Sequence, residues 1–419
     1  MEFSMQMIFA DRAGKWLDFP PLEMAAQSGS SWLLPRREQL IPLPLGATLT
    51  MLPGARPIGY DSRQKRFISL EYDPYQEGKM RRIFPVGALL PQGFTRLLLP
   101  ALKKGQEKLP LLGYTAVGIE KGRLYVAARQ TDEHSFWHPK HYNTRELALL
   151  IKRRLEEFPN NRIVSQLAHC SREYGCFTAQ NLFYRRWEAG IPVSPDCNAA
   201  CLGCISLQPA ECCPSPQQRL DFVPAPREVA EPAIAHLEEA QNAIISFGQG
   251  CEGEPGLQSE MLAEAIGLIR EQTKRGIINI NTNGGNDQGL AQLMAAGLDS
   301  LRLSLFSALP QDHRSYHQPK DFDLDNIKNT LAKAKEAGVK VALNWLVYPG
   351  FSDQLPQMEA IAKLAKEGAV AQIQLRNLNI DPGEMQKYCT QGPGLGMDRM
   401  INWLERELPE VKLGSFTRR

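Results

Sequence analysis

The 419-residue chain has almost no charge of one sign to spare: 48 basic residues stand against 46 acidic ones, for a formal net charge of +2. With both signs interspersed, no footprint for a nucleic acid and no polybasic patch for a membrane surface emerges. Short basic clusters such as Lys79, Arg81 and Arg82 read as solvated faces. Long hydrophobic runs are missing as well. No window approaches the roughly 18 uninterrupted apolar residues of a membrane helix, and the N-terminus lacks the basic region and apolar core of a secretory signal. The expectation is a cytoplasmic protein with no membrane and no nucleic-acid partner. A hydrophobic fraction of 43% and a charged fraction of 22% are those of an ordinary globular chain, which excludes disorder. The nine cysteines are an odd number in a chain too large to depend on covalent staples. They read as metal ligands, reactive thiols or core residues before disulfides.

The length exceeds one typical core and predicts a large domain with a smaller companion. Residues 1–142 carry proline, glycine and short apolar runs without a helical period, the pattern of a β-rich N-terminal domain. Its clearest element is a hairpin over 111–130, turning at Glu120, Lys121 and Gly122. Residues 143–189 read as a helical connector containing Cys170 and Cys176. There Asn143 is placed to cap a helix over about 144–157, with Glu146 behind it and Leu147, Leu150, Ile151 and Leu155 at helical spacing. From 190 to 382 apolar, β-branched runs alternate with helical periods. Strands are predicted at 191–195, 243–247, 277–281, 301–306, 339–347 and 371–377, and helices near 227–240, 259–274, 288–296, 324–337 and 354–366. Six such units predict an α/β fold with a parallel sheet and right-handed crossovers, doubly wound or barrel-like on pattern alone. Residues 383–419 form a tail with a helix.

Ligands gather at the carboxyl ends of parallel strands, and the unusual residues fall there. After the first predicted strand, Cys197, Cys201 and Cys204 are spaced C-x-x-x-C-x-x-C. Three thiolates in one loop can hold three irons of a four-iron cluster and leave the fourth open. After the second comes GQGCEGEP, where Gly248, Gly250 and Gly253 permit close approach and Glu254 offers a carboxylate to an ammonium group. Asn281, Thr282 and Asn283 follow the third, Arg302 and Ser304 lie in the fourth, Asn344 in the fifth, and Gln374 and Arg376 in the sixth.

On these residues the stretch from 190 to about 380 resembles the radical S-adenosylmethionine (radical SAM) superfamily. The resemblance implies a partial (βα)6 TIM-like barrel, a 4Fe-4S cluster on Cys197, Cys201 and Cys204, and S-adenosylmethionine chelating the open iron. Reductive cleavage of that cofactor would give methionine and a 5′-deoxyadenosyl radical that takes hydrogen from a small-molecule or protein substrate. By position, Gly253 and Glu254 would hold the methionyl amine, and Asn283, Ser304 and Asn344 would contact the cofactor, the last two at its ribose. The resemblance also implies a reductant such as flavodoxin or ferredoxin and sensitivity to oxygen. Where the family usually has two glycines before the glutamate, Glu252 takes the first place. Where it often has an aromatic residue before the last cysteine, Gly203 stands, with Leu202 or Ile205 as candidates to cover adenine. Whether the reaction is that of an oxidoreductase or a transferase stays open. The tail carries only Cys389, which disfavours a peptide maturase with a cysteine-rich extension, and no D-x-H-x-x-G signature of a cobalamin domain occurs.

Blander readings compete. The cysteine triplet can be a structural zinc or iron-sulfur site of a non-catalytic interaction protein, closed by His169 or Cys213. Ser304 and Asn344 can satisfy backbone groups, and Arg376 can be an ion-pair partner. Cys170 and Cys176, with His169 or Cys251, are candidates for a second metal site. Cys251 can also serve as a hydrogen donor or simply fill a tight turn. Cys212 and Cys213 show no ligand spacing. His134, His138 and His141 form a local group that could bind a metal, but Pro139 interrupts any helix that would align them, and they read as a surface loop. His313 and His317 would share a helix face just past the fourth strand, within reach of a substrate, though helix-face polar residues are the commoner case; the aromatic and basic stretch 183–190 can shape an anionic substrate pocket but reads first as the joint between domains.

Overall fold

The computed structural model describes residues 5–76, 80–133, 136–207, 217–385 and 394–416. Lys79, His134, Cys212, Cys213 and Cys389 lie outside them. The larger part is a parallel sheet whose spatial order follows the chain: β1 (Arg186–Gly190), β2 (Gln241–Phe247), β3 (Ile277–Thr282), β4 (Ser300–Leu305), β5 (Lys340–Val347), β6 (Gln372–Asn377) and β7 (Lys412–Gly414). Every neighbouring pair is parallel. This is a half-barrel of seven strands, one more than the (βα)6 expectation. The added strand comes from the tail, where three residues pair with β6 and are too few to show a period.

The helices between strands start and stop on local signals. Pro226–Glu239 opens with proline, and the Glu228 carboxylate turns back to the Ala225 amide at 2.8 Å. Asp287–Ala296 begins under the Asn286 side chain and ends at Gly297 in the left-handed region. Asp323 and Asn326 form a reciprocal cap on Leu324–Glu336. Strand centres such as Ile280, Leu301, Leu343 and Ile373 are fully buried, as expected of a sheet covered on both faces.

Two corrections concern the entry to the barrel. The first strand is Arg186–Gly190, not 191–195, so the stretch read as a joint is itself a strand. Its Glu188 is buried because Arg302 of β4 lies 2.7 Å away, and an acidic residue does not advertise a strand. Asn143 does not cap the following helix. It sits at φ 55° and exchanges hydrogen bonds with Gln180, and the helix begins later, as Leu147–Glu157.

Residues 6–130 form a twelve-stranded and a three-stranded antiparallel sheet. The expected hairpin is there as Val117–Glu120 and Arg123–Gln130, joined at Lys121 and Gly122, both with positive φ as a tight two-residue turn requires. This β-rich part shares its core with the barrel, since Met24, Leu97 and Tyr125 belong to the same buried cluster as Ile280 and Leu343. Arg96 ties the two together. Fully buried, it donates from Nη2 to the Leu378 carbonyl at 2.7 Å, and its amide donates to the Asn377 side chain at 2.9 Å. Burial lowers its pKa to about 10. The result sets residues 89–94 over the carboxyl ends of the strands.

Candidate active site

A cavity of about 610 Å³ opens at that end of the sheet, and its wall includes Cys197, Cys201, Cys204, Gly253, Glu254, Asn283, Ser304 and Asn344 together. Leu90, Gln92, Phe94 and Leu112 of the N-terminal sheets line the opposite side. The N-terminal domain was the expected place for recognising a substrate or partner protein, but no motif in its sequence marked these residues as a roof.

The cysteine loop leaves β1 and is pinned from several directions. Its Asn198 carbonyl accepts the Lys320 amide at 2.9 Å, and the Asn198 side chain bridges Asp321 and Asn283 at 2.8 Å each. Asn283 therefore has both side-chain ends engaged, its oxygen by the Gly285 amide at 2.8 Å, and it positions the loop. Around the thiols the electrostatics differ. Burial raises the pKa of Cys197 and of Cys201. Burial acts on Cys204 too, but hydrogen bonds from the Ser206 hydroxyl and nearby amides, with the charge of Arg219, bring it below the ordinary thiol value. Cys201 packs beside an aromatic stack in which Phe306 lies 4.5 Å from Tyr316 and 4.4 Å from Phe351. A side chain at Gly203 would meet the Tyr316 hydroxyl and the Asn379 carbonyl at 2.8 Å, which explains glycine there. Leu202 turns into the aromatic cluster, whereas Ile205 faces the cavity.

The second loop is locked by its carboxylates. Glu254 is 4% exposed; it accepts the Gly256 amide at 2.9 Å, the Asn283 amide at 2.8 Å and the Thr282 hydroxyl. Burial still raises its pKa. These bonds engage both oxygens with the protein. Glu252, standing where the resemblance expects a glycine, is 3% exposed and accepts four amides: Val193 and Ser194 on one oxygen at 2.7 and 3.0 Å, Gly248 and Gln249 on the other at 2.7 and 2.6 Å. Burial pushes its pKa up to about 7 against those four donors. Glu252 thus staples the chain after β1 to the chain after β2. Gly253 runs so close to the cysteine loop that a Cβ would stand 1.8 Å from the Asp196 carbonyl, while its amide donates to the Ser194 carbonyl at 2.7 Å.

Across the sheet, Ser304, Asn344 and Gln374 stand in register on neighbouring strands. Arg376 reaches back over them, Nε to the Asn344 oxygen at 3.0 Å and Nη2 to the Gln374 oxygen at 2.7 Å. Among the described residues it has no carboxylate partner within 4.0 Å, and burial lowers its pKa to about 10, with Arg302 adding repulsion. It faces the cavity as a cation held by neutral amides, not as an ion-pair partner.

The remaining cysteines gather elsewhere. Cys251 lies beside Cys170 and lowers its pKa, and with Cys176 they line a separate cavity of about 340 Å³. Cys251 does not line the main cavity, so it faces away from the cysteine triplet. His169 bonds the Tyr174 hydroxyl at 3.3 Å and is likewise remote from the triplet's cavity. Among the described residues no three His, Cys, Asp or Glu side chains enclose a single metal ion. His138 caps the short turn Pro139–His141 on the surface, and among the described residues no helix is long and apolar enough to cross a membrane.

The sequence placed His317 on a helix face with His313 but gave no sign of its contact with the cysteine loop. His317 ends the helix Pro310–His317, is 2% exposed, and lies with Nδ1 3.2 Å from the Cys201 sulfur. Burial, then His313, holds its pKa well below the usual value.

Residues 191–365 match the family model described as the Radical SAM superfamily. A search of curated proteins finds no match. Among solved structures, the chain is similar to a methylornithine synthase at 14% identity, covering 64% of this chain and 74% of that one with a TM-score of 0.39. It is also similar to HydG, a maturase of the [FeFe]-hydrogenase, at 16% identity, 65% and 63% coverage and a TM-score of 0.40. SuiB of Streptococcus suis bound to S-adenosylmethionine matches at 12% identity, 65% and 61% coverage and a TM-score of 0.39. Likenesses this loose carry no functional weight.

Proposed function

From the premise that residues 191–365 are a domain of the radical SAM superfamily, we propose that the protein is an enzyme binding a 4Fe-4S cluster on Cys197, Cys201 and Cys204 and S-adenosylmethionine beside it. The observation that carries this reading is the meeting of three thiols, the Glu254 loop and the polar strand ends in one roofed cavity. Soft thiolate donors suit iron-sulfur ligation. When bound, the pair of cofactors supplies reductive cleavage to methionine and a 5′-deoxyadenosyl radical.

The chain's own groups then do the holding and sorting. The loop at Gly253 and Glu254 receives the methionyl amine. Because the Glu254 carboxylate already accepts three protein donors, its main task is to fix the loop, and main-chain carbonyls there share in meeting the ammonium. Ser304 and Asn344 face the ribose side, and Asn283 holds the cysteine loop in place. Arg376 gives the cavity a cation for an anionic group. Leu90, Phe94 and Leu112 close it from above, which limits water and places substrate recognition partly in the N-terminal sheets. A low-potential donor of the flavodoxin or ferredoxin kind supplies the electron, and the site belongs to an oxygen-sensitive, cytoplasmic enzyme.

Anaerobic reconstitution tests this. The expected result is about four irons per chain and an electron paramagnetic resonance signal that changes when S-adenosylmethionine is added; both are lost in Cys201→Ala. A reconstituted protein whose signal ignores S-adenosylmethionine would contradict the reading. Iron well above four, lowered by Cys170→Ser, would extend it to a second site at Cys170, Cys176 and Cys251.

A further inference from the structure

We propose that His317 is a positioning residue whose Nδ1–H donates to the Cys201 sulfur and raises the potential at which the cluster takes up its electron. The inference rests on the cluster assignment above.

The tautomer follows from geometry. The Phe306 amide donates to His317 Nε2 at 3.1 Å, so Nε2 is the bare, accepting nitrogen of a neutral ring. The ring proton is then on Nδ1, 3.2 Å from the Cys201 sulfur. The approach is held rigidly. The Ala200 amide donates to the His317 carbonyl at 3.0 Å and the Leu202 amide to the Tyr316 carbonyl at 3.1 Å, clamping the helix end on both sides of Cys201. The other two thiols are treated differently: Cys204 is approached by the Ser206 hydroxyl at 3.5 Å and Arg219 Nη2 at 3.9 Å, and the backbone donor near Cys197 is the Ala199 amide. Among the described residues, the imidazole of His317 lies on Cys201.

One-electron reduction adds negative charge to the cluster and its thiolate sulfurs, so a donor fixed on one sulfur stabilises the reduced form more than the oxidised form. The electron comes from the low-potential donor; no bond breaks and the Nδ1 proton stays on the ring. A bond of this charged kind is worth about tenfold in the reduction equilibrium, or 59 mV for a one-electron couple.

Redox titration followed by electron paramagnetic resonance compares wild type with His317→Leu and His317→Gln at equal iron occupancy. The leucine variant should be about tenfold harder to reduce. Glutamine, able to accept from Phe306 and donate to sulfur, should recover most of that. Pulsed resonance on protein carrying ¹⁵N-histidine should reveal a nitrogen coupled to the reduced cluster, absent from both variants. Equal potentials in wild type and the leucine variant, or no coupled nitrogen in wild type, would overturn the proposal. If the leucine variant fails to fold, the nitrogen coupling decides. Failure of the wild type to hold a cluster would count against the function proposed above; long-range ¹⁵N–¹H spectra of the metal-free protein then still decide the tautomer, an Nε2–H ring refuting the inference.

Discussion

Glutamine in place of Glu252 is nearly the same size, yet the structure makes it a severe change. The carboxylate is acceptor-only, and each oxygen takes two amides. Glutamine keeps one such oxygen and turns an NH2 group toward the other two N–H donors. Two buried amides lose their acceptor at about 1–3 kcal/mol each, and the surviving bonds lose their charge. At pH 8, where the native carboxyl is ionised, relief of its burial penalty offsets part of this loss, and a net destabilisation of about 2 kcal/mol is expected in urea unfolding of the metal-free protein. The loops after β1 and β2 should also loosen, so iron uptake on the cysteine triplet should fall in parallel. A Glu252→Gln protein within about 1 kcal/mol of wild type would refute the staple, because four satisfied amides cannot be disturbed so cheaply.

Gly253→Ala should disrupt the same junction from the other side. Its Cβ would stand 1.8 Å from the Asp196 carbonyl, backbone against backbone, so a loss of about 3 kcal/mol is expected in the same unfolding assay. Arg96→Leu strips the charged donor from the Leu378 carbonyl and should cost about 3 kcal/mol, with faster proteolysis at the contact between the N-terminal sheets and the barrel. His236 is fully buried, with burial lowering its pKa to about 4, while its ring bonds the Trp187 carbonyl at 2.8 Å. Its folded pKa lies below the unfolded value near 6.5, so its contribution is full above pH 6.5 and is lost as pH falls toward 4, by about 3 kcal/mol. His236→Gln should flatten that part of the stability curve relative to wild type, and an unchanged slope would count against it.

The strands β2 to β6 were legible because apolar, β-branched runs recur between helices whose caps are written locally, as at Asn286, Gly297 and Asp323. The first strand was displaced because IPVSP looks more strand-like than RWEAG; only the Ile191 amide joins the sheet from it, donating to Ser246 at 3.0 Å, whereas Glu188 is paid for by Arg302, 114 residues away. The eight site residues named from the sequence share one cavity, since spacing within a loop and position at a strand end are local properties. What the loops do with their carboxylates was not legible. The spacing that marked Glu254 as a carboxylate for an ammonium group did not show its three protein donors, and Glu252, read as a departure from a motif, is a four-amide anchor. The His317 contact to Cys201 spans 116 residues, and the roof at 89–94 depends on Arg96 reaching across to Leu378. Such long-range contacts leave no period in the sequence.

Product analysis tests the central claim most directly. Reconstituted protein with full cluster occupancy is reduced with dithionite in the absence of oxygen and given S-adenosylmethionine, and 5′-deoxyadenosine and methionine are quantified. The account expects both in equal amounts, and none from Cys201→Ala. No 5′-deoxyadenosine from fully loaded wild type would contradict it and return the cysteine triplet to a structural role.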